Sequence, residues 1–587
     1  MLDLRLYRAS LLAVLVAVLV AAFSLSSLPA PLSSPLPPAA FNGARALSQL
    51  TALTRRYPGR PPGSAADDSL AAYVAHAFRS DGFTVTVRWS VAATVSGERR
   101  IATVIATRRV AGGRRPVVLV AHRDAARGPA AGQLSATAAL LELGRDLALG
   151  GARRPVDLVS TSGGSGGNAG AFAALADLPR ELDAVIAIGD VASTPGSQLV
   201  IPWSPRGGAA PLGLQRTVQA ALGQQLGSGS GFAGVGDQLA RFAIPLTLGE
   251  QAPFEGAGVP AVLVQASGER VPSPRSPISP PRLTQFGRAI LASVDALDRG
   301  PRIAAGSTRD LVIESEILGG WAARLIVGLL VLALAACSLD AFARARRQRV
   351  ALAGWLGWVL WWAAPFIATL AFAKLLAAAG ALPPLPPGPV SDGELQIGAA
   401  GGVSLAAVAL FFLLAVTLRA RLVRGSALDG SDATAGAPVA LLCIASALAA
   451  ILWIFNPYTA ALLALPIAIW LPVLHADEYR SPRAGVVWLL CSLVPLGVVL
   501  GAESISLGLG PLGFFWTWLL VFAGGNFGLG ALLAVSLAGA IALAGALLLI
   551  HPGSRGLPPD VKITVRGPIT YAGPGSLGGT SSGRTSR

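Results

Sequence analysis

Four histidines occur among the 587 residues, and His122 alone stands where a catalytic side chain would be expected. It closes the apolar run "VVLVAHRD", with Asp124 two residues further on. Asp190 closes "VIAIGD", and Glu250 and Gln251 lie in the turn "GEQAPF" before "VPAVLV". A glycine run, "STSGGSGGNAGAFA" at 160–173, follows the apolar "PVDLV". Imidazole and carboxylate groups gathered at neighbouring strand ends are the donors of metal-assisted and general acid–base chemistry. Here they are few. His475 and His551 fall in the apolar second half, and His76 in an early helical pattern. A catalytic zinc needs three protein ligands plus water, and several donors must offset its dehydration. His122 and Asp190 are weak metal candidates by that standard, so no cofactor is expected.

The same residues have plainer readings. Asp124 or Asp190 could satisfy His122 at its strand end, and Asp190 could cap the following turn. "GSGGNA", from Gly164 to Ala169, fits G-x-G-x-x-A, with Asp190 about 20 residues on as dinucleotide binding requires. Its glycines, however, begin several residues past the strand instead of closing it. Backbone N–H groups at a helix start could instead receive an anion or a substrate carboxylate. A surface turn is the simplest reading.

These positions need a scaffold. "DDSLAAYVAHAFRSDGFTVTVRWSV" reads as an amphipathic helix, a stop at Gly82 and a strand. Strands "RRIATVIATRRV" and "RPVVLVAHRD" follow, then helix "SATAALLELGRDLAL", strand "VDLVSTS", helix "AGAFAALADL" and strand "DAVIAIGD". Later come helices "GLQRTVQAALGQQL" and "GDQLARFA", strand "AVLVQASGE" and a closing helix, "PPRLTQFGRAILASVDAL". Continuous apolar strands alternating with helices predict an α/β domain, a mostly parallel sheet with helices on both faces. Ligands of such sheets bind beyond the carboxyl ends of the strands.

The second half is membrane in character. The chain is 53% hydrophobic and 13% charged, with mean hydropathy +0.60, and apolar runs succeed one another from about Leu318. Spans are expected near 10–29, 318–340, 351–379, 397–417, 437–455, 458–475, 485–502 and up to Ile550; "GPLGFFWTWLLVFAGGNFG" is too short and glycine-broken for a ninth. The domains expected are a 1–30 anchor, a 31–317 extracytoplasmic domain, a 318–551 polytopic region and a 552–587 cytoplasmic tail rich in Gly, Ser and Pro. A cleaved signal peptide is the alternative for the anchor.

Charge placement orients these spans. Arg5 and Arg8 precede the first run; Arg344, Arg346, Arg347 and Arg349, then Arg419, Arg421 and Arg424, then Arg480 and Arg483 mark alternate connections. The connections near 381–396, 456–458 and 502–511 carry no Lys or Arg. Cytoplasmic termini and an exported 31–317 domain follow from the positive-inside rule. A net charge of +15 suggests nucleic acid, yet the arginines sit between spans and no nucleic-acid motif accompanies them, so the lipid bilayer is the expected partner. Arginine use with only two lysines, Lys374 and Lys562, in an alanine-rich chain points to a GC-rich bacterial genome and hence a plasma membrane. Lys374 is expected to snorkel, and Trp355, Trp358 and Trp362 to form an aromatic belt. Cys337, Cys443 and Cys491 all fall in apolar spans, leaving the exported domain no disulfide.

From about Phe41 to Asp298 the sequence resembles the M28 family of zinc peptidases, whose relatives include aminopeptidases and glutaminyl cyclases. The resemblance rests on "YPGRPPGSAADDSLAAYVAHAFRSDGFTV", "VVLVAHRD", "SATAALLELGRDL" and "EQAPFEGAGVPAVLV", in that order. It implies two zinc ions held by two His, two Asp and one Glu, with a further Glu as general base. His122 matches a zinc ligand and Asp124 its orienting carboxylate. The bridging Asp falls on Gly132 and Gln133, and the Glu pair on Gly163 and Gly164. Asp190 matches the later Asp ligand, and the last His falls on Gln251. Glu142 is structural in the resemblance, and Glu250 is one new acid beside Gln251.

The resemblance therefore implies a polytopic membrane protein with a peptidase-like domain that has lost zinc and catalysis and serves in binding or assembly, with a peptide or another membrane protein as partner. The alternative is an active membrane-bound aminopeptidase with a rearranged or single-zinc site. The arrangement of one span, such a domain, then many spans is similar to the endoplasmic-reticulum M28 peptidases and the peptidase-like subunit of the GPI-anchor transamidase. Transport is disfavoured, since no mid-depth cluster of Asp, Glu or His is seen.

Overall fold

The computed structural model describes residues 4–550 except 36–39, 111–113, 151–152, 195, 197, 228–230, 305, 391–392, 423–430 and 476–481. Arg424, Arg480, His551, and the expected tail 552–587 with Lys562, lie outside the described residues.

The α/β domain is built on a seven-stranded sheet. Its strands are β1 (Thr84–Thr94), β2 (Gly97–Arg108), β3 (Val117–His122), β4 (Val156–Thr161), β5 (Ala184–Ile188), β6 (Val200–Ile201) and β7 (Ala261–Val264), in the order β1-β2-β4-β3-β5-β7-β6. The four central strands are parallel, but β1–β2, β2–β4 and β7–β6 pair antiparallel. The expectation of a mostly parallel sheet is thus corrected to a mixed one. Only Val95 and Ser96 separate β1 from β2, a connection too short for anything but a hairpin.

The apolar strands are continuous because both their faces are covered. Along β3, Val117, Leu119 and Ala121 enter one core with helices Ala65–Ser80, Ala131–Leu149 and Pro280–Arg299, while Val118 and Val120 enter another beneath helix Ala169–Asp177. The two-residue period sends alternate side chains to opposite layers. Buried Glu142 receives the Arg45 guanidinium, which ties helix Gly43–Arg56 to helix Ala131–Leu149. The parallel register sets His122 opposite Thr161, so the imidazole emerges beside the start of the glycine run.

Among the described residues, six helices are long and apolar enough to cross a membrane: Gly320–Arg347, Leu352–Ala378, Ala399–Leu422, Gly436–Phe455, Arg483–Ser506 and Leu529–Ile550. Leu11–Ala22, Pro457–Leu471 and Pro511–Ala523 are shorter apolar helices. The first helix stops at Ala22 instead of reaching 29, because Ser26–Ser27 leaves it to pair antiparallel with Glu316–Leu318. That pairing clamps the entry and exit of the α/β domain together.

The tryptophan row is also corrected. Trp358 and Trp362 are buried; Trp358 meets Trp355 on one side and Trp362 on the other edge to face, and Trp358 and Trp362 flank the Arg419 guanidinium, whose Cζ lies 4.1 Å from the Trp362 ring centroid. Its Nη2 donates to the Trp358 carbonyl at 2.9 Å. An arginine inside an apolar bundle is held by ring faces and a carbonyl, so these rings point inward and do not form a belt. Lys374 is exposed.

All three connections that lack Lys and Arg touch the α/β domain. Gly388 donates its N–H to Gly167 O at 2.9 Å, Asn456 Nδ2 donates to Phe242 O at 2.7 Å, and Gly508 O accepts from Arg270.

Candidate functional site

At the carboxyl rim of the sheet, His122 Nδ1 lies 3.2 Å from Glu250 Oε2, and the Thr161 hydroxyl donates to Glu250 Oε1 at 2.6 Å. Both side chains are buried. Burial, the largest influence, pushes the imidazole pKa down, but the hydrogen bond and charge of Glu250, with Asp124 nearby, outweigh it and raise it overall. The other ring nitrogen, Nε2, is buried without a partner. His122 is therefore paired with neither Asp124 nor Asp190. Glu250 is the residue that sequence reasoning undervalued, since its adjacency to Gln251 was visible but its reach across the rim was not.

The glycine run holds a carboxylate of its own chain. Asp124 Oδ1 accepts from Gly164 N at 3.1 Å, and its Oδ2 accepts from Ser165 N at 3.2 Å and from the Ser165 hydroxyl. Successive N–H groups ahead of a helix form a nest for negative charge, and here Asp124 fills it. This corrects its expected role as the partner of His122 and counts against the dinucleotide reading, because Asp124 already places a carboxylate on the first two N–H groups of the motif. Asn168, in the left-handed region at φ 56°, donates to Leu248 O and Gly249 O at 2.9 Å each, tying the run to the Glu250 turn.

Gly164 is fixed by space. A Cβ there would lie 2.4 Å from His122 Cβ and 2.7 Å from Glu250 Oε1. A glutamate at this position would need the volume that the His122–Glu250 pair occupies. Gly163 sits at φ 83°, in the left-handed region, with Ala169 Cβ 3.0 Å from where its own Cβ would stand.

The remaining positions do not converge on His122. Asp190 Oδ1 caps its turn, accepting from Ala192 N at 2.9 Å and Ser193 N at 3.1 Å, while Oδ2 is buried without a partner. Burial pushes its carboxyl pKa up, against those hydrogen bonds. Gly132 lies beside it, its Cβ position 3.5 Å from Asp190 Oδ1. Gln133 is buried with Oε1 unpartnered, and Gln251 donates to Thr247 Oγ1 at 2.9 Å. Arg123, the middle residue of "HRD", is wholly buried, donates to Ser160 O and Ala102 O, and pairs with Asp67 at 2.8 Å. It anchors the strand end from behind.

A segment of the helical region lies across this rim. Gly388 bonds Gly167, Pro386 packs where a Gly167 side chain would be, and Val390 and Glu394 flank Gly166. Leu382, Val390 and Leu395 anchor the segment in a cluster with Trp516 and Leu519. Beneath it, a space of about 30 Å³ remains, bordered by His122, Gly164, Glu250, Gln265, Val390 and Glu394. Burial pushes the Glu394 carboxyl up to about 7, helped by Asp124.

The residues present do not fit a pair of zinc ions. Among the matched positions His122 Nε2 and Asp190 Oδ2 are the unengaged imidazole and carboxylate atoms, Gln133 Oε1 and Gln251 Oε1 are neutral amide oxygens, and no group of three His, Cys, Asp or Glu able to hold a metal occurs among the described residues.

No protein-family model matches the chain, and neither does any curated protein sequence. Among solved structures it is similar to a zinc aminopeptidase from Bacillus subtilis, at 13% identity over 43% of this chain and 94% of that one, with a TM-score of 0.35. It is similar to Porphyromonas gingivalis glutaminyl cyclase at 16% identity over 44% and 98% of the two chains, TM-score 0.34. A Zn-dependent exopeptidase from Parabacteroides distasonis is similar at 15% identity over 43% and 98%, TM-score 0.33.

Proposed function

We propose that this chain is a multi-pass plasma-membrane protein whose extracytoplasmic, M28-peptidase-like domain has lost zinc and catalysis and serves as a binding or assembly module. The observation that carries this reading is the occupied volume at Gly164: His122 and Glu250 fill the place of the carboxylate pair that the resemblance requires. With glycine there, that position supplies neither a metal ligand nor a general base to activate water. The covering residues 382–390, with Glu394, support the same reading, because they take the space a peptide would need. The contacts of all three arginine-free connections with the α/β domain support one orientation for them, outside the cytoplasm.

The test is zinc content of the purified full-length protein, with aminopeptidase and glutaminyl cyclase assays before and after chelation. Zinc well below one ion per chain and no chelator-sensitive turnover are expected. Near-stoichiometric zinc with chelator-sensitive hydrolysis would establish the membrane-bound aminopeptidase instead.

A further inference from the structure

The sheet ends differently on its two sides. One edge is closed by β6, two buried residues long. The other is β1, which runs for 11 residues, paired with β2 in unbroken register from Thr84 to Thr94 and free of proline. Edge strands are templates for pairing with another chain, so they are ordinarily kept short, bulged, covered, or broken by proline and charge. Within β1 only Arg88 is charged. Along its outer side, no backbone group of 85–93 has a hydrogen-bond partner among the described residues.

The direction of those groups follows from one bond. Ala102 O accepts from Arg123 Nη2 at 2.7 Å, and Arg123 lies beyond β4, so this carbonyl points away from β1. Ala102 stands opposite Trp89, and hydrogen-bonded and non-hydrogen-bonded pairs alternate along an antiparallel ladder. The N–H and C=O groups of Val85, Val87, Trp89, Val91 and Ala93 therefore face outward. Their side chains share one face of the strand. Val85 and Val87 pack on the core, but Trp89 and Val91 run past it, 44% and 67% exposed.

We propose that β1 accepts an extended segment of a second protein as an eighth, antiparallel strand, one in which apolar residues alternate with acidic ones. This rests on reading the domain as a binding module and names the chemistry of its partner. In such strand addition the backbone groups supply affinity and the side chains on the two faces supply specificity. Apolar residues cover Trp89 and Val91. Acidic residues meet the arginines of the hairpin: Arg88, Arg99 and Arg100 are exposed, none makes an ion pair among the described residues, and Glu98 is the one acid in 84–108. Arg100 lies over the Trp89 ring, its Cζ 4.3 Å from the centroid, while Arg88 stands on the opposite face. A second copy of this chain would set two such basic arms against each other, and like charges across neighbouring strands repel.

The probe is the fluorescein-labelled peptide Val-Thr-Val-Glu-Val-Glu-Val-Thr-Val, matched in length to 85–93, titrated as a monomer onto the full-length protein in detergent and read by fluorescence anisotropy. Saturable binding is expected, with hydrogen exchange slowed across 84–94 and unchanged in 117–122. The counterpart with lysine in place of both glutamates should bind about tenfold more weakly, and Arg88→Glu, a change at an exposed position, should reverse that preference. N-methylation of the peptide's valines blocks the N–H groups that antiparallel pairing places against Trp89 and its neighbours, and should also weaken binding about tenfold. Val91→Pro removes an outward N–H without touching a ladder bond to β2, and should weaken binding likewise. No saturable binding, equal binding of the two charge forms, or binding indifferent to N-methylation would overturn the proposal. So would a dimer in detergent that Val91→Pro dissolves, which would give the edge to a second copy. Zinc content and hydrolysis, measured on the same preparation, judge the loss of catalysis separately from strand addition.

Discussion

His122, Glu250 and Gly164 form a closed unit in which each residue explains another. The imidazole takes its partner from Glu250 instead of from Asp124, and Asp124 is free to fill the nest of the glycine run because His122 does not need it. Gly164 must be glycine because both partners crowd its missing side chain. Gly164→Ala is therefore expected to destabilise the protein by about 1–3 kcal/mol, the usual cost of forcing a methyl group into a packed site. A melting temperature in detergent equal to that of the native chain would show that the pair yields freely. Placing a carboxylate there by Gly164→Glu meets the same obstacle and is not expected to confer zinc binding.

The segment 382–390 belongs to the helical region by sequence and to the α/β domain by contact. Its prolines stiffen it, and the Gly388 N–H bond to Gly167 O sets its height over the rim. A Cβ on Gly388 would lie 2.8 Å from Gly167 O, backbone against backbone, which neither side can relieve by turning a rotamer. Gly388→Ala should lift the segment. The expected outcome is at least tenfold faster hydrogen exchange in 162–168, read by mass spectrometry of the digested protein, with exchange in β3 unchanged. Unaltered exchange in 162–168 would mean that the glycine run is protected by its own bonds to Asp124 alone.

The two halves of the molecule are joined by polar contacts between the Asn456–Thr459 turn and the carboxyl end of helix Val235–Ala243. Asn456 Nδ2 donates to Phe242 O, Thr459 Oγ1 to Ala243 O, and the Tyr458 hydroxyl to Arg309 O, at 2.6–2.7 Å. The Phe242 and Ala243 carbonyls, at the helix end, have no partner within the helix, so they depend on the helical region for satisfaction. Asn456→Ala leaves the Phe242 carbonyl unpaired and should cost about 1–3 kcal/mol. Differential scanning calorimetry of the native chain should show one cooperative transition, and the variant a lower melting temperature. Two separated transitions in the native chain would show that the halves unfold independently.

Some of this could be read along the chain and some could not. Apolar runs, their two-residue or helical period and the placement of arginines are local properties, so the α/β class, the membrane helices and their breaks follow from neighbours in sequence. The shortage of metal donors is likewise a count that no fold can enlarge. Which donors meet is another matter: Glu250 reaches His122 across 128 residues, and Gly388 reaches Gly167 across 221. Strand order, the antiparallel edges and the covering of the rim are settled by which surfaces pack together, and packing energy is shared among residues too far apart for any local pattern to record.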